Sequence, residues 1–145
     1  MSQPSLFDTV AGTTATANID GGSRGNPGPP GYGVHIVRDG DIIELKGALP
    51  NATNNVAEYN GLLAALDWAI AHGVSSLHVK SDSELLVKQM RGEYRVKNPG
   101  LQTLFERARD LARRVGTVRF EHVRREFNRE ADRLANEAMD EAAAV

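Results

Sequence analysis

The sequence contains no cysteine, which removes disulfide frameworks, thiolate metal sites and cysteine nucleophiles together. Aromatic residues are few, at 6 %, while hydrophobic residues at 41 % and charged residues at 25 % stay near globular averages. That balance excludes a disordered, collagen-like or coiled-coil chain. No window approaches the run of about 18 apolar residues that a membrane span needs. The opening MSQPSLFDTV has neither a basic start nor an apolar stretch of signal-peptide length, so a cytoplasmic protein is expected. No serine sits in a nucleophile elbow, and GGSRGNPG lacks the lysine of a phosphate-binding NTPase loop, which argues against hydrolase triads and ATP use. What remains, over 145 residues, is one compact domain with a single core, expected as a monomer.

The net charge is only -2, yet the charges are sorted along the chain. Residues 1–87 carry net -5, residues 88–129 net +7 and residues 130–145 net -4. Such a basic middle is either a solvated helix face or a phosphate-facing surface beside carboxylates that hold cations.

Residues 1–13 mix Ser, Thr, Pro and Gly without periodicity and read as a flexible tail, with the domain covering 14–145. TATANID predicts a strand running into GGSRGNPGPPGYG, whose six glycines and three prolines predict a loop. GVHIVRD and DIIELKG predict two strands joined at Asp39-Gly40, a hairpin signal. In TNNVAEYNGLLAALDWAIAHG the apolar residues fall at helical spacing, with Thr53 or Asn54 to cap the start and Gly73 to end it. SLHVKS predicts a strand, SELLVKQMRG a short helix, LQTLFERARDLARRVG a longer one, and TVRFEHV a last strand. A final helix is predicted from Asn128. The order is β-β-β-α-β-α-α-β-α, an α/β fold.

Four acids stand at element boundaries: Asp20 at the end of the first strand, Asp82 at the end of the fourth, and Glu58 and Asp132 in the first turns of helices. Singly, each is an ordinary helix-start or turn acid. In an open sheet covered by helices, strand ends and helix starts converge on one crevice. Four carboxylates there would repel unless cations neutralised them, and hard oxygen ligands select Mg²⁺ or Mn²⁺ over zinc. Two-metal hydrolysis of a phosphodiester fits that set.

The residues around these acids carry more. DGGSRGNPGPPGYG, TNNVAEYNGLLAAL, SDSELLV and NREADRLANEA, in that order and spanning Ala15 to Met139, together resemble type 1 ribonuclease H. The resemblance implies a five-stranded mixed sheet flanked by helices, and hydrolysis of the RNA strand of an RNA/DNA hybrid with two Mg²⁺ ions, Mn²⁺ substituting. It implies that Asp20, Glu58, Asp82 and Asp132 are the metal-binding carboxylates and that Asn26, Asn54, Asn55 and Ser83 meet substrate. Gly21 and Gly22 let a nucleic-acid backbone come close, and asparagines suit a minor groove lined by 2′-hydroxyls and base edges. A related nuclease acting on double-stranded RNA, and a hybrid-binding module without catalysis, are the rival readings.

Two departures from the family pattern stand out. The loop REFNREAD lacks the histidine that many members carry before the fourth carboxylate, and His122 lies too far upstream to match its spacing; either Glu126 or Arg125 substitutes or the step goes unassisted. The basic inserted helix of many bacterial members is replaced by the short MRGEYRVKNPG, leaving Arg91, Arg95 and Lys97 as phosphate contacts. Both features resemble the archaeal and actinobacterial branch. In the tail, Gln3, Leu6 and Phe7 form a Q-x-x-L-F pattern similar to peptides that dock on the bacterial sliding clamp.

Overall fold

The computed structural model describes residues 13–25 and 28–143. Strand β1 (Thr14–Ser23) alternates buried Ala15, Ala17 and Ile19 with half-buried Thr16, Asn18 and Asp20, so its two faces have opposite chemistry. It pairs antiparallel with β2 (Pro30–Arg38), which pairs antiparallel with β3 (Asp41–Ala48). The hairpin turn is Asp39-Gly40, at φ 51° and 83°, the left-handed pair that a two-residue turn requires. Strands β4 (Ser76–Ser81) and β5 (Thr117–His122) add in parallel on the other side, giving the order β3-β2-β1-β4-β5. The mixed five-stranded sheet is the one expected. One boundary differs: β1 does not end at Asp20, because Gly21, Gly22 and Ser23 continue the ladder opposite Tyr32, Gly31 and Pro30. Glycines read as loop formers are held in the strand by their partner's backbone.

Helix α1 (Asn54–Ala71) is capped by Thr53, whose hydroxyl accepts from the Val56 N–H at 3.4 Å, and it ends at His72 before Gly73 at φ 69°. Helix α2 (Glu84–Met90) is capped by Ser83, and α3 (Pro99–Val115) by Asn98, whose side chain accepts from the Gly100 and Leu101 N–H groups. Helix α4 (Arg129–Ala143) starts one residue later than its sequence pattern predicts. A 3₁₀ turn, Arg125–Phe127, precedes it and turns the Asn128 side chain inward.

Helices α1 and α3 cover one face of the sheet, packing Leu62, Leu66, Ala108 and Leu111 against Ala17, Ile19, Val34, Ile36 and Val79. Helix α4 covers β1, β2 and β3 on the other face through Ala131, Leu134, Ala135 and Ala138. Its approach is close enough to exclude side chains from the strand beneath. A Cβ at Gly33 would lie 2.5 Å from the Ala131 carbonyl oxygen and 2.5 Å from Leu134 Cβ. Among the described residues no helix is long and apolar enough to cross a membrane.

Gly33→Ala is therefore expected to lift α4 from the sheet and to cost about 2 kcal/mol of stability, as overpacked sites do. A lower urea midpoint with an unchanged slope would show it; an unchanged midpoint would mean that α4 is not packed as tightly as described.

Candidate active site

The acids converge because three backbone contacts leave them no alternative. Ile19 pairs with Ser81, and Ser81 with His122, so Asp20, Asp82 and the end of β5 lie side by side at one edge of the parallel strands. Helix α1 brings Glu58 to the same place by lying against Gly21, where a Cβ would stand 2.4 Å from the Ala57 carbonyl carbon and 2.5 Å from the Glu58 nitrogen. Helix α4 supplies Asp132 from its first turn, with the Asp132 N–H donating to the Asn128 carbonyl at 3.0 Å. One carboxylate oxygen each from Asp20, Glu58 and Asp82 lie within 4.8 Å of one another. Asp132 stands outside that group of three but is close enough to hydrogen-bond Asp20 and to act on the charge of Asp82.

Packing carboxylates this way without a cation raises their pKa values. Burial holds Asp20 well above the carboxylate range, and the charge of Asp82 and the hydrogen bond with Asp132 push the same way, against the Gly21 N–H that donates to Asp20 Oδ1 at 2.9 Å. Glu58 is pushed up to about 7, by burial first and Asp82 second, while the Ser83 hydroxyl donates to it and opposes the rise. Asp82 is raised by burial and by Asp132; Arg125 and His122 pull it back. Three acids that resist ionisation together are a site that a divalent cation would relieve.

These residues floor an open crevice of about 480 Å³. Arg24, Arg124 and Arg125 give its lining a basic part, and Asn54, Gly21 and Gly22 also line it. Asn55 is exposed at the start of α1 and does not line the crevice, and Ser83 is spent on capping α2 and on Glu58. Asn26 lies outside the described residues, as do Gln3, Leu6 and Phe7. Arg91, Arg95 and Lys97 do not line the crevice. Arg91 donates through Nε at 3.0 Å and Nη2 at 2.6 Å to the Phe120 carbonyl, so its guanidinium is partly committed to the fold; Arg95 and Lys97 are exposed between α2 and α3. Tyr94, which alone would read as core, is exposed beneath Lys88, whose Nζ lies 4.9 Å from the ring centroid.

Arg24, His122, Asn136 and Met139 are among the lining residues that escaped the sequence reading as site groups. Arg24 donates to Asn136 at 3.2 Å and pairs with Asp140, tying the glycine loop to α4. Asn136 and Met139 follow Asp132 by four and seven residues, and that helical spacing was the available signal. His122 lines the crevice from the end of β5, although its sequence distance from Asp132 argued against it. Arg125, the suggested stand-in for the missing histidine, lies 3.8 Å from Asp132 through Nη2, whereas Glu126 does not line the crevice.

Residues 18–138 match the family model described as "Reverse transcriptase-like". A bifunctional protein of Mycobacterium tuberculosis is 50 % identical over 128 residues, covering 86 % of this chain and 35 % of the relative, so the chain spans about a third of that protein's length. The ribonuclease HI of Halobacterium salinarum is 42 % identical over 128 residues, 87 % of this chain and 64 % of the relative. Among solved structures, the N-terminal RNase H domain of the mycobacterial protein superposes with a TM-score of 0.88 at 46 % identity, covering 91 % of this chain and 97 % of that one. LC11-RNase H1, solved in complex with an RNA/DNA hybrid, superposes with a TM-score of 0.83 at 40 % identity, covering 89 % and 99 %. With the sheet order, the crevice and these relatives in agreement, the chain belongs to the type 1 ribonuclease H family.

Proposed function

We propose that this chain is a divalent-cation-dependent endonuclease that hydrolyses the RNA strand of RNA/DNA hybrids, leaving 3′-hydroxyl and 5′-phosphate ends. The observation that carries the reading is the group formed by Asp20, Glu58 and Asp82, with Asp132 beside it, under a rim of arginines. The donor set is all carboxylate oxygen, which suits Mg²⁺, with Mn²⁺ as substitute, and offers no soft or imidazole ligand within the three. Two such ions, when bound, supply water activation and stabilisation of the leaving oxygen. Asp20 would serve both ions, Glu58 and Asp82 would each anchor one side, and Asp132 would be the less engaged acid. Arg24, Arg124 and Arg125 bind phosphates at the rim, and Arg95 and Lys97 extend that surface. Gly21 and Gly22 let the cut strand approach the carboxylates, and Asn54 offers a donor and an acceptor to its minor groove. A relative solved with a hybrid bound supports the substrate class.

Labelled RNA/DNA hybrid, double-stranded RNA and DNA duplex, each incubated with Mg²⁺, Mn²⁺ or EDTA, test the proposal. Hybrid should be cut in metal and spared in EDTA; no hybrid cleavage in either metal overturns the reading. Asp20→Asn and Asp82→Asn should lower turnover by at least about a thousandfold, the scale of losing a preorganised charge-stabilising group. Asp132→Asn should leave measurable activity, because Asp132 stands outside the group of three.

Stability should report the same site in the metal-free protein. The unfolded carboxylates ionise near their ordinary values, while Glu58 in the fold waits until about 7 and Asp20 is raised as well. Their contribution is therefore neutral below about pH 4 and becomes a penalty as pH rises through 7, amounting to about 3 kcal/mol for Glu58 alone. In EDTA, the Tm contribution of the site should fall between about pH 4.5 and pH 8, and Mg²⁺ should restore it at the upper end and not at the lower. Asp20→Asn should raise the metal-free Tm near pH 8; a lowered Tm there would contradict the repulsion.

The tail belongs to the proposal as a separable part. A peptide of residues 1–10 is expected to bind the bacterial sliding clamp and to lose binding on Leu6→Ala/Phe7→Ala, which would raise effective concentration at primed DNA; equal, negligible binding by both peptides removes that part alone.

A further inference from the structure

Asn128 is one of three buried polar or charged residues among those described, 1 % exposed, and it lies outside the crevice. Its side chain is fully engaged. Nδ2 donates to the Ile19 carbonyl at 2.9 Å, and Oδ1 accepts from Asn18 Nδ2 at 3.0 Å. Its backbone is engaged as well: the N–H donates to the Arg125 carbonyl at 3.0 Å, and the carbonyl accepts from the Asp132 N–H at 3.0 Å. One residue thus grips β1 at the position before Asp20, opens α4 one turn before Asp132, and closes the 3₁₀ turn that carries Arg125. The body of α4 does not depend on it, since Leu134, Ala135 and Ala138 pack that helix on Gly31 and Gly33. What it adds is a polar tie between the first turn and β1, beside the packing of Ala131 on Gly33.

We infer that Asn128 is a positioning residue that sets the spacing between Asp20 and Asp132 and through it the affinity of the site for its divalent cations. The inference rests on the proposed function and deepens it. The residue type follows from the two contacts, because the site needs a donor toward Ile19 and an acceptor from Asn18 at one depth. Alanine would leave the Ile19 carbonyl without its partner. Aspartate would keep the shape, remove the donor toward Ile19 and add a fifth carboxylate to the four of the site's surroundings. Either change frees the first turn, so Asp132 no longer has a fixed distance from Asp20.

The test compares the wild-type chain with Asn128→Ala, Asn128→Asp, Asn18→Ala and Leu134→Ala, the last destabilising the same helix away from its first turn. Mn²⁺ binding to the hybrid-free protein is measured by calorimetry and by the Mn²⁺-induced rise in Tm, with hybrid affinity in EDTA and the Mg²⁺ dependence of cleavage measured alongside. Both Asn128 variants should need at least about tenfold more metal, consistent with the loss seen when a group orienting a metal ligand is removed, while hybrid affinity in EDTA stays within about twofold of wild type. Leu134→Ala should lose stability and keep wild-type metal dependence. If the Asn128 variants do not fold, Asn18→Ala, which spares the Ile19 bond, should shift metal affinity in the same direction by a smaller factor. Wild-type metal dependence in every folded variant at Asn128 and Asn18, or an equal shift in Leu134→Ala, overturns the inference while the proposed function stands. A wild-type chain that binds no Mn²⁺ and cuts no hybrid overturns both.

Discussion

Negative charges forced together out of water are the constraint around which this molecule is arranged. Carboxylates as close as those of Asp20, Glu58 and Asp82 would move apart if any of their supports could give, and burial raises the cost of their ionisation further. The fold denies them that escape. Asp20 and Asp82 extend from adjacent strands whose register is held by a parallel ladder from Thr14 and Ser76 to Ile19 and Ser81. Glu58 is carried on a helix whose backbone meets the backbone of Gly21, with no side chain between to yield. Held in this way, the carboxylates are fixed in place for the proposed cations, as in preorganised electrostatic sites.

The two faces of the sheet divide the work. The α1–α3 face is a continuous apolar cluster that anchors the ladder, with Tyr59 donating its hydroxyl to buried Gln89 at 2.7 Å to bind α1 to α2. The α4 face is thinner and more polar. Glutamates 44, 130 and 137 surround Arg133, which reaches Glu44 at 2.5 Å and Glu137 at 2.8 Å, and Lys46 ties β3 to Glu137 and Glu141. These exposed pairs steer the helix onto the sheet more than they stabilise it. A polar hinge at the start of α4 and an apolar seat further along let one helix serve both the crevice and the core.

Much of this was legible in the sequence where a local rule coincided with the global one. Asp39-Gly40 demands a tight turn wherever it falls between two strands, and the apolar spacing from Tyr59 to Ile70 admits only a helix. The four acids were legible because strand ends and helix starts meet at one edge of such a sheet. The failures have a common cause, since each depended on a partner distant in sequence. Gly21, Gly22 and Ser23 read as loop until β2 supplies their hydrogen bonds. Asn128 reads as the start of the last helix until Ile19 and Asn18, more than a hundred residues earlier, take its amide inward. His122 and Asn136 reach the crevice through strand register and helix pitch, neither of which a motif records. The Phe120 carbonyl that Arg91 also meets is likewise visible only in the fold, while the charge of Arg91 is visible in the sequence.

That acceptor matters for the open side of the sheet. Strand β5 is the outer strand on its side of the sheet, and an outer strand offers unpaired carbonyls to any passing strand. Arg91 places two N–H groups on the Phe120 carbonyl, in the middle of that strand, and sets a positive charge there. An incoming strand would have to displace a charged fork and desolvate it before its own ladder could close. A residue with the look of a nucleic-acid contact thus also fills a carbonyl at the open side of the sheet.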